Sequence, residues 1–232
     1  MESIKPQKSL VEQVYDILLD AICSGEIPPG ERLNQDEIAT RLNVSRQPVN
    51  SAISILKANG FVRDNGRRGG VVSEVDMEQY RSIYEFRGVV EPFAAKRAAE
   101  RIGDDAASEA RDILREGSAA IEARDIKRLL KADVRFHQTI YRWSGNHVIE
   151  DSMRANWPHM LRSMTEILRD PDSARQSWDD HKDIMEALLA RDGPAAEAAM
   201  KRHIGLAFEK TRKVLVPRRG GEPSPEIVRS GT

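Results

Sequence analysis

The 232-residue sequence has one cysteine, Cys23, so no disulfide can form within the chain. That scarcity fits a reducing compartment and points to a cytoplasmic protein. No apolar run approaches the ~18 residues a membrane-spanning helix needs, which excludes an ordinary transmembrane segment. The first 30 residues have no uninterrupted apolar stretch and carry Glu2, Glu12, Asp16 and Asp20, unlike a secretory signal. No internal repeat is present. There is also almost no net charge: 36 Lys and Arg face 37 Asp and Glu, giving −1. Any nucleic-acid contact must then come from a local basic patch. What is present is 40% hydrophobic residues, enough for a packed core, beside 31% charged residues.

The pattern changes near residue 75. In residues 1–75, Leu10, Val14, Ile17, Leu18, Ala21 and Ile22 recur at helical spacing. Ser24-Gly25 ends that helix and Pro28-Pro29-Gly30 makes a rigid turn. Asn34, three residues before Glu37, resembles a capping box for a short helix whose apolar face is Ile38, Ala39 and Leu42. Ser45 is placed to cap a third helix running to about Asn59, with Pro48 tolerated in its first turn. Phe61-Val62-Arg63 and Val71-Val72-Ser73 read as two short strands joined through Asn65-Gly66. Three helices followed by a hairpin describe a winged helix-turn-helix.

On the third helix, Val49, Ala52, Ile53 and Leu56 form the stripe expected to be buried. Arg46, Gln47, Asn50 and Ser51 fall mainly on the other side, with Ser54 and Lys57. Such hydrogen-bonding side chains read base edges and phosphates. Residues 40–70 hold six cations (Arg41, Arg46, Lys57, Arg63, Arg67, Arg68) against Asp64, a local net charge of +5. Taken singly, Arg46 fits an ordinary solvated helix face better than a DNA contact. The capped helix, wing and charge together favour binding of double-stranded DNA.

The stretch PPGERLNQDEIATRLNVSRQPVNSAISILKANGFVRDNGRRGGVV resembles the DNA-binding domain of GntR-family bacterial transcription regulators. The resemblance spans about residues 8–75 and rests on the Pro-Gly turn, Val-Ser-Arg-x-Pro-Val, Gly-Phe-Val and Arg-Arg-Gly-Gly. It implies DNA contacts by Arg46, Gln47, Asn50 and Ser51 from the helix, and by Arg67, Arg68 and Gly70 from the wing. The family commonly has Arg-Glu where this chain has Asn50-Ser51. Asparagine favours adenine edges, so the base preference is expected to differ.

Residues 76–215 are almost continuously helical in pattern. Breaks at Gly103-Asp104, Asp125, Gly145-Asn146, Pro171-Asp172-Ser173 and Gly193-Pro194 predict six helices in an all-α bundle. Residues 216–232, rich in Pro, Gly and Ser, read as a disordered tail. All five histidines lie in the helical part. Asp133 and His137 are one turn apart on one helix, and His181 and His203 border the apolar sides of two others. One oxygen and three imidazole nitrogens could close on a divalent ion, with zinc, nickel and manganese all accepting such ligands. Periodicity alone favours three separate structural histidines and a solvated Asp-His pair.

ADVRFHQTIYRWSGN, DDHKDIMEAL and MKRHI resemble the signatures of the FCD ligand-sensing domain attached to many GntR regulators. In its metal-containing members an Asp, a His four residues on and two later His are ligands. That implies Asp133, His137, His181 and His203, at separations of 4, 44 and 22 residues. Six helices rather than seven suggest the VanR-like subgroup of the FadR subfamily. Arg87 interrupts an apolar stripe and needs an anionic partner: either Glu91 at i+4 or the carboxylate of a small organic-acid effector. Asn146 reads as a helix cap or as an effector contact. His147 and His159 read as ordinary, and Trp143, Trp157 and Trp178 as core or pocket wall. The leading function is a ligand-responsive regulator, acting as a homodimeric repressor on operator DNA, that is not an enzyme. A metal-dependent hydrolase and a DNA-binding protein with a purely structural zinc are the alternatives.

Overall fold

The computed structural model describes residues 8–64, 66 and 69–215. Arg67, Arg68, Asn65 and the expected tail lie outside the described residues. The chain opens with α1 (Leu10–Cys23), whose N-terminus is closed by a capping box in which Ser9 and Glu12 satisfy each other's backbone N–H groups. Next come β1 (Arg32–Leu33), α2 (Gln35–Leu42), α3 (Arg46–Ala58), β2 (Val62–Arg63) and β3 (Gly70–Val72). The strands form one antiparallel sheet in the order β1-β3-β2, with Val62 opposite Val72 and Arg32 opposite Val71. The wing is therefore three-stranded, where the sequence suggested two strands. Arg32–Leu33 follows a Pro-Pro-Gly turn and is too short to show any alternation.

Val49, Ala52, Ile53 and Leu56 are all buried, as their spacing predicted, and pack with Val14, Leu18, Ile22, Phe61 and Val72 into one core. Asn34 caps α2 through Asp36 N–H, while Ser45 precedes α3 without a side-chain cap bond. Two glycines close the wing. Gly69 has φ +104°, and a Cβ there would sit 2.3 Å from the Leu33 carbonyl oxygen. A Cβ on Gly70 would fall 2.3 Å from Val62 Cγ1.

A second core belongs to seven helices: α4 (Met77–Arg101), α5 (Ala106–Glu122), α6 (Ile126–Trp143), α7 (His147–Arg154), α8 (Trp157–Leu168), α9 (Pro171–Leu189) and α10 (Gly193–Leu215). The sequence predicted six. The segment expected to run as one helix over 146–169 breaks at Ala155-Asn156, and Pro158 stands in the first turn of α8. Proline lacks the N–H that a continuous helix would use there and fits a new first turn instead. The helix count therefore no longer supports the VanR-like subgroup. Among the described residues no helix is long and apolar enough to cross a membrane.

Candidate metal centre and nucleic-acid face

Four helices converge on the histidines. α4 supplies Arg87 and Glu91, α6 Asp133 and His137, α9 His181, and α10 His203. All six side chains are buried. One ring nitrogen from each of His137, His181 and His203 lies within 4.8 Å of the others. His181 Nε2 and His203 Nε2 are 3.3 Å apart. Two ligands of a tetrahedral ion, each at about 2.0–2.1 Å, are separated by about 3.3–3.4 Å, so this pair has the spacing of adjacent ligands. Asp133 Oδ1 is 3.6 Å from His181 Nε2, and Asp133 Oδ2 is 4.0 Å from His137 Nε2.

The surroundings fix these rings. His181 stacks on Phe136 at a centroid distance of 3.9 Å and meets Trp178 edge-on at 4.8 Å. His137 packs against Trp157. Trp157 and Trp178 are thus walls of the histidine cluster, while Trp143 is half-buried against the core. Behind the cluster, His137 Nδ1 lies 2.7 Å from Glu91 Oε2, and His203 Nδ1 lies 3.6 Å from Asp180 Oδ2. Both are contacts without hydrogen-bond alignment. A carboxylate behind Nδ1 favours the tautomer whose Nε2 lone pair faces the cluster. The part played by Glu91 and Asp180 was missed in the sequence. Glu91 was visible only as a partner for Arg87, and Asp180 stands in an acidic run whose residues look alike.

Burial dominates the electrostatics of the cluster. Burial pushes the Asp133 carboxyl above its ordinary range, against the pull of His137, His203 and Arg87. Burial holds the His181 imidazole well below its ordinary value, and His203 below its own. Asp133 Oδ2 and His137 Nε2 are buried with no hydrogen-bond partner. Such atoms are costly unless something coordinates them. The donor set, three imidazoles and one carboxylate, fits a divalent ion of the zinc, nickel or manganese kind.

Arg87 forms a buried ion pair with Glu91 one turn on, and its guanidinium lies 4.7 Å above the Tyr84 ring. Burial opposes both charges, yet each stabilises the other: Glu91 is held below the usual carboxylate range and Arg87 is raised. Asn146 caps α7, accepting from the Val148 N–H at 3.2 Å. His147 is exposed, whereas His159 is half-buried and stacks on Phe61 at 4.3 Å.

On α3, Arg46, Gln47 and Asn50 are exposed, and Ser51 is half-buried. Arg46 reaches Asp36 on α2 at 3.2 Å, an exposed pair of little energetic weight. Gly70 is buried within β3, so packing of the wing accounts for it, and it is not brought to the exposed face.

Residues 82–206 match the FCD domain, and residues 10–72 match the family described as "Bacterial regulatory proteins, gntR family". The chain belongs to the GntR family of bacterial regulators and carries an FCD domain. It is 29% identical over 214 residues to the HTH-type transcriptional repressor RspR of Escherichia coli K12, covering 91% of this chain and 92% of that one. It is 28% identical to the Nta operon transcriptional regulator of Aminobacter aminovorans, over 81% of this chain and 87% of that one. Among solved structures, a putative GntR regulator from Rhodococcus sp. RHA1 superposes with a TM-score of 0.74 at 26% identity, covering 89% and 99% of the two chains. E. coli McbR/YncC superposes at 0.77 and 21% identity, over 90% and 99%, a likeness of fold. The curated relatives RspR and the Nta operon regulator are transcription regulators and not enzymes, which sets aside the hydrolase alternative.

Proposed function

We propose that this regulator is a homodimeric repressor whose FCD domain senses a small organic acid through a divalent metal. The observation that carries this reading is the buried convergence of His137, His181 and His203, with the Asp133 carboxylate 3.6–4.0 Å from two of the rings and carboxylates also beside the outer nitrogens of His137 and His203. Residues 1–75 act as the DNA-binding domain and 76–215 as the sensor. Zinc suits the ligand set best, and nickel or manganese is accepted. A bound divalent ion would supply Lewis acidity and open positions for an anionic ligand. With one carboxylate and three neutral imidazoles the centre keeps about +1 net charge, and a small carboxylate neutralises it in a dry site. Arg87 adds to this field and already opposes protonation of His181 and His203. Asn146 is spent as a cap, and we leave it out of the effector site.

Operator DNA is read from α3, with Asn50 at base edges and Arg46 at phosphates or bases, while Arg67 and Arg68 reach phosphates or the minor groove. Two-fold symmetry of a dimer matches an inverted-repeat operator. The test begins with operator DNA selected in vitro from a random duplex library. Organic acids are then titrated against the complex, with metal-loaded and metal-free protein. A coupling of ~1–3 kcal/mol would change operator affinity about 5–150-fold in the metal-loaded protein only. An equal response in both forms would mean that the metal is structural. Asn50→Ala should change preference at one base pair by ~1–3 kcal/mol, and Arg46→Ala should flatten the salt dependence of binding.

A further inference from the structure

Between the DNA-binding unit and the helical bundle runs a cleft of about 710 Å³, away from the histidines. Its apolar lining comes from both sides: Ala21 of α1, Ile38 and Leu42 of α2, Val134 of α6 and Leu161 of α8. Leu161 packs against both hydrophobic cores. Ile17 is 49% exposed and lines the same cleft. The walls are tied together nearby. Thr165 Oγ1 donates to the Cys23 carbonyl at 2.8 Å, Cys23 Sγ donates to the Pro158 carbonyl at 3.3 Å, and Arg162 donates to the Ser73 carbonyl.

The charged groups around the cleft are four cations, Arg41, Lys127, Lys131 and Arg135, against Asp20 and Glu26. Arg41 is paired with Glu26 at 3.2 Å, and Arg135 with Glu116 at 2.6 Å. Lys127 and Lys131 stand one turn apart on α6, exposed, and neither has an ion-pair partner among the described residues. They continue a stripe with Val134 and Gln138 at i+7 and i+11, all lining the cleft, while Asp133 and His137 turn into the bundle from another face of α6.

We infer that this cleft is a second ligand site, distinct from the histidine centre, and that it takes an amphipathic organic anion: an apolar body between the two units with its acid group on Lys127 and Lys131. The volume suits a ligand of drug-like size, and an apolar wall with a few convergent charges is the usual make-up of such a site. Two ammonium groups one helical turn apart, lining an apolar trough and without ion-pair partners among the described residues, select for a carboxylate or sulfonate head. A second copy of the chain seated in the trough would leave them without anions unless it presented acids there. A ligand in the cleft touches α1 and α2 on one side and α6 and α8 on the other. It therefore fixes the setting of the DNA-binding unit against the bundle.

The experiment uses the full-length, metal-loaded protein. 1-Anilinonaphthalene-8-sulfonate is titrated as a fluorescent probe, then displaced with decanoate or with decan-1-ol. Two variants are compared after circular dichroism confirms folding: Lys127→Ala/Lys131→Ala removes the charges, and Ala21→Trp fills the trough. The inference expects decanoate to weaken about 3–30-fold in the lysine variant, with decan-1-ol changed less than about twofold. It expects both ligands to be lost in Ala21→Trp and retained in His181→Ala/His203→Ala. Decanoate binding unchanged in the lysine variant and in Ala21→Trp overturns it. So does loss of binding in the histidine variant alone, which would put the anion at the metal centre. An Ala21→Trp protein that binds the probe normally but changes its sedimentation overturns it in favour of an interface between two copies.

Discussion

Glu91 is the residue through which the stability of the bundle and the quality of the metal centre meet. Its carboxylate is fully buried, pairs with the buried Arg87 and approaches His137 Nδ1 to 2.7 Å. Glu91→Gln keeps the shape and removes the charge, leaving the Arg87 guanidinium without a counter-ion inside the protein. Breaking one side of a buried pair costs about 3–5 kcal/mol. For a domain of this size each kcal/mol lowers the melting temperature by about 2–4 °C, so a fall of about 6–20 °C is expected. Losing the negative charge behind His137 should also weaken metal binding by about 10–100-fold. The two effects separate if melting is followed by circular dichroism in chelator and in zinc, with zinc affinity measured by competition against a chromophoric chelator. Arg87→Met/Glu91→Leu replaces both charges with apolar groups. It should recover much of the chelator-state stability without recovering zinc affinity. A Glu91→Gln protein melting within about 2 °C of the parent, with unchanged zinc affinity, would refute the reasoning.

His159 joins the two units by stacking on Phe61, and burial followed by the nearby Arg162 charge lowers its pKa, against a weaker pull from Asp76. The unfolded chain takes up this proton near pH 6.5 and the folded chain resists it, so the contribution is complete above about pH 6.5 and is lost as pH falls below it. Urea melts should lose stability less steeply between pH 7 and pH 5 in His159→Phe than in the parent; parallel slopes would discard the assignment. Gly117 on α5 lies where a Cβ would come 1.9 Å from Trp178, whose indole N–H donates to the Leu114 carbonyl at 3.1 Å. Gly117→Ala gains about 1 kcal/mol of helix propensity but forces overpacking worth about 1–3 kcal/mol. The variant should melt lower and change the near-ultraviolet signal of Trp178, and a raised melting temperature would contradict the packing described.

Much of the fold was legible because its cues are local. The stripe Val49-Ala52-Ile53-Leu56 needed only the helical period, and the glycine and proline breaks placed most helices. The division of α7 from α8 was overlooked because the apolar period runs across it, and only Pro158 marked the new first turn. Leu10 and Ile17 show the same limit: they share the helical spacing of Val14, Leu18 and Ile22 in α1, yet both are exposed while those three are buried. For the site, the spacing of Asp133 and His137 on one helix was readable, and family resemblance brought in His181 and His203 from distant helices. Periodicity alone left them as separate structural histidines. The roles of Glu91 and Asp180 depend on which side of each imidazole faces a neighbouring helix, a matter of packing that sequence spacing does not reveal.

The central claim is that Asp133, His137, His181 and His203 together hold one divalent ion. The most direct test is elemental analysis of the purified full-length chain after reconstitution with zinc, nickel or manganese and removal of excess metal, beside His181→Ala/His203→Ala treated identically. About one ion per chain in the parent, and essentially none in a double variant that remains helical, is the predicted result. Full occupancy in the double variant, or a parent that retains none of the three metals, would contradict it.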